Sequence, residues 1–229
     1  MIIKKHFGIK RYLANHKKIR TLGLRNKIMF LIVCFLSMGI NAYAMLATIN
    51  PFDLAPERWE EFRALRIDAV TNDPQGIGGS VQDEESRSLE SYKKLLEDAQ
   101  HGNNMWLSFV QNEGKLIGVA GAMCKMAHLS ACRHVATLIS VYVKPTYRGF
   151  RIGEILVRSV LEKLRKSEHV TEVMLFVTTT QKAAIELYKK LGFIKCGEHK
   201  NALYINGCYY DQDIMQRHID KNYNSFSIT

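Results

Sequence analysis

A short run with two glycines and two arginines separates an apolar segment from one with helical spacing. Residues 148–153 read Arg-Gly-Phe-Arg-Ile-Gly, and Lys144 lies just before them. Main-chain N–H groups at the start of a helix attract anions, and glycine lets a ligand approach the backbone without a Cβ in the way. The run therefore predicts a binding site for a pyrophosphate. The alternative is that Gly149 and Gly153 only shape a tight strand-to-helix turn.

The spacing of these glycines excludes two common nucleotide-binding signatures. The run does not read Gly-x-Gly-x-x-Gly, and no Gly-Lys-Ser/Thr follows it. The sequence thus indicates neither a dinucleotide-binding fold nor a P-loop NTPase.

Cysteine and histidine give little reason to expect a metal. Cys132, His134 and His128 are near one another in sequence but lack the ligand spacing of a zinc finger. We therefore expect no metal site. Since no Cys-x-x-Cys pair occurs after residue 45, free thiols are expected at Cys124, Cys132, Cys196 and Cys208.

The apolar pattern predicts the elements that must position the glycine run. Residues 135–143 are β-branched and almost wholly apolar, as in a central strand buried on both faces. Helical spacing returns at 156–164, before the run 173–177, which is predicted as a strand, and a helix around 184–191 that Gly192 closes. The other predicted elements are a strand at 46–53, helices at 56–70 and 89–99, and strands at 105–110, 115–124, 193–198 and 209–216. This order predicts a mixed α/β sheet.

The positive charge is concentrated at the amino terminus. The chain has a formal charge of +10, but nine of its 32 Lys and Arg residues and none of its 22 acids lie in residues 1–45. The remainder is close to neutral, so no basic face for a nucleic-acid backbone is indicated.

Residues 1–44 are predicted to be a separate segment, and residues 46–229 one domain. A basic stretch leads to the apolar run 28–40, and Ala42 and Ala44 then fit the small-x-small pattern of a signal-peptidase site. A helix of that run would reach only about 20 Å, short of a hydrocarbon core of about 30 Å. A cleaved or membrane-associated segment is therefore favoured over a spanning anchor. The alternative is that Met45 is the true start.

Two motifs resemble the GCN5-related N-acetyltransferase (GNAT) superfamily. Its cofactor loop reads Arg/Gln-x-x-Gly-x-Gly/Ala; Arg148, Ile152 and Gly153 match, while Arg151 replaces the middle glycine. Its later motif, Asn-x-x-Ala-x-x-Leu-Tyr-x-x-x-Gly-Phe, is similar to residues 178–193. There Gln181 stands for the Asn, and the matches are Ala184, Leu187, Tyr188, Gly192 and Phe193. Residues 62–85 resemble the early helix and acceptor loop of one branch of the superfamily.

The resemblance implies a fold and a cofactor site. The fold would be a mixed, mostly antiparallel sheet of six to seven strands flanked by about four helices. Acetyl-CoA would lie where two strands splay apart, with its pantetheine arm on the backbone of Val141, Tyr142 and Val143. Its pyrophosphate would sit on the amides of Arg148, Gly149, Phe150, Arg151, Ile152 and Gly153.

The resemblance also implies catalytic roles. A backbone N–H near Val141 would stabilise the oxyanion, and Tyr188 would be the general acid for the departing thiolate. Gln181 would contact the pantetheine or cap its helix. Phe176 occupies the position of the carboxylate base of the ribosomal-protein acetyltransferases, which leaves water, Glu84 or Glu85 as candidate bases.

The predicted function is transfer of an acetyl group from acetyl-CoA to a primary amine of a small molecule or a protein, in the cytoplasm. Two alternatives remain: a degenerate member that binds coenzyme A or a partner without turnover, and an exported protein that keeps the fold for another task. Exposed terminal strands could pair in a homodimer. The acceptor cannot be read from the sequence, because acceptor loops vary most.

Overall fold

A computed structural model describes residues 49–221 of the chain. The predicted segment 1–44, with its apolar run 28–40, lies outside this range, as do residues 46–48 of the first predicted strand. Within the described range, no helix is long and apolar enough to cross a membrane.

Four helices precede the sheet and two are inserted into it. Their bounds are α1 Trp59–Asn72, α2 Pro74–Ile77, α3 Val81–Ser86, α4 Leu89–His101, α5 Ile152–Lys166 and α6 Lys182–Lys190. The predicted loop after α1 contains the short helix α2, because Asp73 caps its first turn by accepting a hydrogen bond from the Gly76 amide. The expected four flanking helices are α1, α4, α5 and α6, and α2 and α3 are short additions.

Six strands form one sheet in the order β1-β2-β3-β4-β6-β5. Their bounds are β1 Met105–Asn112, β2 Lys115–Met123, β3 Val135–Val143, β4 Glu172–Thr178, β5 Ile194–Ile205 and β6 Cys208–His218. Every neighbouring pair is antiparallel except β3 and β4, which run parallel. The expectation of a mixed, mostly antiparallel sheet is therefore confirmed.

The sheet splits between β3 and β4. These strands pair only from Val135 to Thr137 on β3, opposite Glu172 to Met174 on β4. Beyond Thr137, the rest of β3 pairs only with β2, and the rest of β4 pairs only with β6. The strands therefore diverge into a cleft at their carboxyl ends.

The core lies on both faces of the first three strands. On one face, the Phe62 ring of α1 meets Phe109 of β1 edge-on at 5.2 Å and Tyr92 of α4 at 5.8 Å. On the other face, α5 buries Leu156, Val157, Val160 and Leu164. A Cβ at Gly118 of β2 would come within 3.0 Å of the Leu156 side chain, so this glycine permits the close approach of α5.

Two expectations about the strands are corrected. The strand predicted at 46–53 is reduced, within the described residues, to one isolated bridge between Phe52 and Phe109. Strand β3 is not buried throughout on both faces, because Ile139, Ser140 and Val141 are only half-buried. These residues lie where the sheet has opened, so no neighbour covers them on the β4 side.

Candidate active site

A cavity of about 380 Å³ lies between the end of β3, the start of α5 and the start of α6. Nine of the ten predicted cofactor-binding residues line this cavity: Val141, Tyr142, Val143, Arg148, Gly149, Arg151, Ile152, Gly153 and Gln181. The tenth, Phe150, is half-buried but does not line it. The fold thus brings two distant sequence motifs to one cleft.

The start of α5 presents main-chain donors to this cavity. Arg151 is the N-cap residue, and it makes no side-chain capping hydrogen bond. The N–H groups in the first turn of an α-helix have no partner within the helix, so they remain available to an anion. This geometry fits the diphosphate of coenzyme A.

Two residues of the loop before α5 have left-handed backbone conformations. Gly149 has φ of +86° and Arg151 has φ of +57°. Glycine adopts this conformation without strain, whereas a residue with a Cβ pays about 1 kcal/mol or more. Arg151 therefore keeps the backbone shape of the glycine it replaces in the motif, at a cost in stability.

The Arg148 side chain braces the loop. Its Nε donates to the carbonyl of Val143 at 3.0 Å, and its Nη2 lies 3.2 Å from Oδ2 of Asp73. Its guanidinium also covers the Tyr142 ring at 5.7 Å. The positive charge of Arg148 is therefore paired with Asp73.

Asp73 connects the two sides of the cavity, and sequence reasoning missed it. Besides pairing with Arg148, its Oδ1 accepts a hydrogen bond of 2.7 Å from Nε2 of Gln181, at the start of α6. The available signal was the Asp-Pro pair at 73–74, which predicts a helix cap. That signal does not indicate the contacts with Arg148 and Gln181, which lie 75 and 108 positions further along the chain.

A bulge in β3 lies in the part of the strand that has separated from β4. Between the pairs Val119–Tyr142 and Gly121–Ile139, two residues of β3, Ser140 and Val141, face one residue of β2. Ser140 has φ of +56°. Bulges change the direction of a strand locally and leave main-chain groups out of the ladder. The bulge therefore frees backbone groups beside the predicted oxyanion position at Val141.

A second cavity of about 260 Å³ meets the first at Val141, which lines both. It occupies the split itself, between Thr137 and Ser140 on one side and Leu175 and Phe176 on the other. A ligand in the first cavity and one in the second would therefore meet at Val141. This arrangement suits transfer of a group between two substrates.

Tyr188 lines the second cavity, on the inner face of α6. Its side chain is 7% exposed, and its ring packs edge-on against Phe193 at 5.9 Å. Burial, and to a smaller extent the negative charge of Asp73, raises the pKa of Tyr188 above its usual value. The hydroxyl is thus held in the protonated, proton-donating form.

The candidate bases Glu84 and Glu85 are poorly suited to take a proton. Glu84 is 3% exposed; its Oε1 accepts from Arg66 Nε at 3.1 Å and its Oε2 accepts from the Tyr92 hydroxyl at 2.6 Å. Burial alone would raise the pKa of Glu84, but these hydrogen bonds outweigh it and lower that pKa. Glu85 is exposed and lines neither cavity.

The described residues contain no cluster of side chains that could hold a metal ion. Among residues 49–221, no three His, Cys, Asp or Glu side chains are grouped as a metal site. Cys124, Cys132, Cys196 and Cys208 are all free thiols.

Three relatives are similar to parts of the chain. It is 35% identical to N-acetyltransferase MJ1207 of Methanocaldococcus jannaschii over 81 residues. This stretch covers 35% of the chain and 35% of that protein. It is 31% identical to N-acetyltransferase 8 of Rattus norvegicus over 46% of the chain and 45% of that protein. It is also 31% identical to N-alpha-acetyltransferase 30 of Saccharomyces cerevisiae over 64% of the chain and 75% of the yeast protein. The chain therefore spans less than half the length of the first two relatives.

Solved structures share the fold. A GNAT-family acetyltransferase from Streptococcus pneumoniae superposes with a TM-score of 0.68 at 20% identity, covering 75% of this chain and 99% of that one. The acetyltransferase yncA from Salmonella typhimurium, solved with its cofactor acetyl-CoA, gives 0.66 at 16% identity, covering 77% and 97%.

The family model for the Acetyltransferase (GNAT) family matches residues 59–193, which include α1, strands β1 to β4 with the split between β3 and β4, and the two motifs at 148–153 and 178–193. The chain therefore belongs to the GNAT family of acetyltransferases.

Proposed function

We propose that this protein is an acetyl-CoA-dependent N-acetyltransferase that acts on a primary amine. One observation carries the proposal: two cavities meet at Val141, one beside an uncapped helix start and the other beside a buried tyrosine. The first would hold acetyl-CoA and the second the acceptor amine. Family membership supports the same reaction.

In the proposed reaction, the amine nitrogen attacks the thioester carbonyl, and the carbon–sulfur bond then breaks. The Val141 N–H would donate to the oxygen that becomes negative. Tyr188 would give its proton to the departing sulfur, and the proton lost by the nitrogen would pass to water. The Tyr188 oxygen would then regain a proton from water. The residues of the first cavity would bind and orient the thioester: Val141 to Val143 along its arm, and the first turn of α5 at the diphosphate.

The choice of base follows from the second cavity. Phe176 cannot accept a proton, and Glu84 is engaged by Arg66 and Tyr92. Arg66 and Lys125 instead line this cavity, and no acidic side chain lines it. Nearby positive charge lowers the pKa of an amine, so the neutral nucleophile forms more readily. We propose that water takes the proton.

Calorimetry and a thiol-release assay test this function together. Acetyl-CoA should bind, and at least one amine from a broad panel should raise the rate of thiol release above hydrolysis. Binding without turnover on any amine would favour the degenerate alternative. Absence of binding to both coenzyme A and acetyl-CoA would contradict the proposal entirely.

The proposal extends to the remaining parts of the chain. Residues 46–229 would be the catalytic domain and residues 1–44 a separate segment, which alone would contact a membrane through its run 28–40. Because acetyl-CoA is a cytoplasmic metabolite, the enzyme would act in the cytoplasm. Because residues 46–229 are close to neutral in charge, it would have no nucleic-acid partner. Amino-terminal sequencing of the natively expressed protein tests this, since cleavage after Ala44 would indicate export.

A homodimer would form by pairing at a free edge of the sheet. Strand β5 is an edge strand, and it exposes Ile194 and Tyr204 to solvent. An exposed edge offers unpaired main-chain groups to a second copy. Light scattering at several concentrations tests this, and a monomer throughout would refute it.

A further inference from the structure

The charges that face the second cavity are all positive. Of the side chains lining it, Arg66 and Lys125 are basic, and none is acidic. Lys125 is exposed on the loop between β2 and β3, and no carboxylate of residues 49–221 forms an ion pair with it. An ammonium-rich acceptor such as a polyamine would therefore meet like charge here.

The carboxylate of Glu84, which pairs with Arg66, offsets only part of this charge. Both of its oxygens are taken by Arg66 and Tyr92, and it also lies 3.9 Å from Nε of Arg87. One carboxylate thus faces two arginines, with Lys125 in addition. The group as a whole retains excess positive charge that an anionic substrate could neutralise.

A third cavity continues from the second. It has a volume of about 310 Å³ and shares Arg66, Ile139 and Ser140 with the second. Most of its lining is apolar, including Phe62, Leu95 and Met105, and Arg87 is its only charged group besides Arg66. Such a cavity fits an aliphatic or aromatic side chain beside an anionic group.

We propose that the acceptor is a small primary amine that carries a carboxylate and an apolar side chain, as an apolar α-amino acid does. This inference rests on the proposed acetyl transfer. The amine would lie in the second cavity near Val141, the carboxylate would pair with Lys125 and Arg87, and the side chain would fill the third cavity. A peptide amino terminus lacks the neighbouring carboxylate and is therefore disfavoured.

Matched acceptors test the proposal directly. The set comprises leucine, leucinamide and 3-methylbutylamine, the phenylalanine counterparts, and spermidine. At saturating acetyl-CoA, we expect kcat/KM for the amino acids to exceed that for their amides and decarboxylated amines by about tenfold or more, as for one partly desolvated charged hydrogen bond. Lys125→Gln and Arg87→Gln should each reduce this preference several-fold. Lys115→Gln should not, because Lys115 is the first residue of β2 and lines none of the three cavities.

A second readout keeps this inference separate from the proposed function. Calorimetry measures the affinity of leucine and leucinamide for the protein with and without coenzyme A. A preference for leucine that Lys125→Gln reduces supports the site even if no acetyl transfer occurs. Equal or stronger binding or turnover of leucinamide, 3-methylbutylamine or spermidine overturns it, while acetyl transfer itself would still stand.

Discussion

Tyr188 is the residue on which the chemical step depends in the proposed mechanism. Its side chain lines the second cavity, and its hydroxyl forms no hydrogen bond with any of residues 49–221. A phenol with a raised pKa stays protonated at neutral pH, but it is a weaker acid than free tyrosine. Its contribution therefore depends on its position next to the departing sulfur.

Tyr188→Phe should lower kcat about a hundredfold or more while leaving the affinity for acetyl-CoA unchanged, because it removes a proton donor and no binding group. Stopped-flow thiol release and calorimetry measure the two quantities. A variant with full activity would remove Tyr188 from the mechanism.

In the wild type, the rate of thiol release should rise with pH as the amine loses its proton. Since the pKa of Tyr188 is raised, Tyr188 should cause no fall in this rate below about pH 10.

Arg151 combines backbone strain with a charge near the proposed diphosphate position. Replacing it with glycine should raise the free energy of unfolding by about 0.5–1 kcal/mol, since strain at φ of +57° is relieved and part of the gain is lost to the flexibility of glycine. Urea denaturation measures this. Arg151→Ala removes the same charge but keeps the strain, so it should show no such gain. Equal stability of both variants would contradict the strain argument.

At the scale of elements, a buried ion pair connects the helices and the strand beside the second and third cavities. Arg66 of α1 binds Glu84 of α3, and its Nη1 also donates to Oγ of Ser140 on β3 at 2.9 Å. The Tyr92 hydroxyl of α4 completes the group on Glu84. Four elements thus meet at one pair of charges.

Arg66→Met should destabilise the protein by about 3–5 kcal/mol, because it leaves the Glu84 carboxylate buried without its partner. Arg58→Met is the matched control: Arg58 pairs with Glu61 on the same helical stretch, but that pair is largely solvated and should cost about 1 kcal/mol or less. Denaturation midpoints compare the two. Similar losses would mean that the Glu84 carboxylate is protonated or otherwise satisfied.

The same elements show what the sequence could predict. The β-branched run 135–143 and the apolar spacing at 156–164 are local patterns. The strand and the helix that they predict are both present, as β3 and α5. The GNAT resemblance, which rests on the motifs at 148–153 and 178–193, is confirmed. The contacts of Asp73 and Arg66 could not be predicted, because they join residues far apart in sequence whose types are common on any surface. The roles of Tyr188 and the cofactor loop remain predictions.

At the scale of the whole molecule, cofactor binding should stabilise the fold. A ligand that binds only the folded state at a hundred times its Kd adds about 2.7 kcal/mol. For a domain of this size, that corresponds to a rise of about 5–10 °C in Tm. Thermal melting with acetyl-CoA measures this, and pantetheine at the same concentration is the control. Because pantetheine lacks the diphosphate, an equal shift would show that the start of α5 contributes nothing.

The narrow join between β3 and β4 has a consequence for motion. Only three residue pairs hold the two halves of the sheet together at this point. Main-chain amides of β3 beyond Thr137 that face the gap have no strand to shield them from solvent there. A pantetheine arm lying along them would act as a removable seventh strand, so hydrogen–deuterium exchange in this stretch would slow when the arm is present and resume when the product leaves.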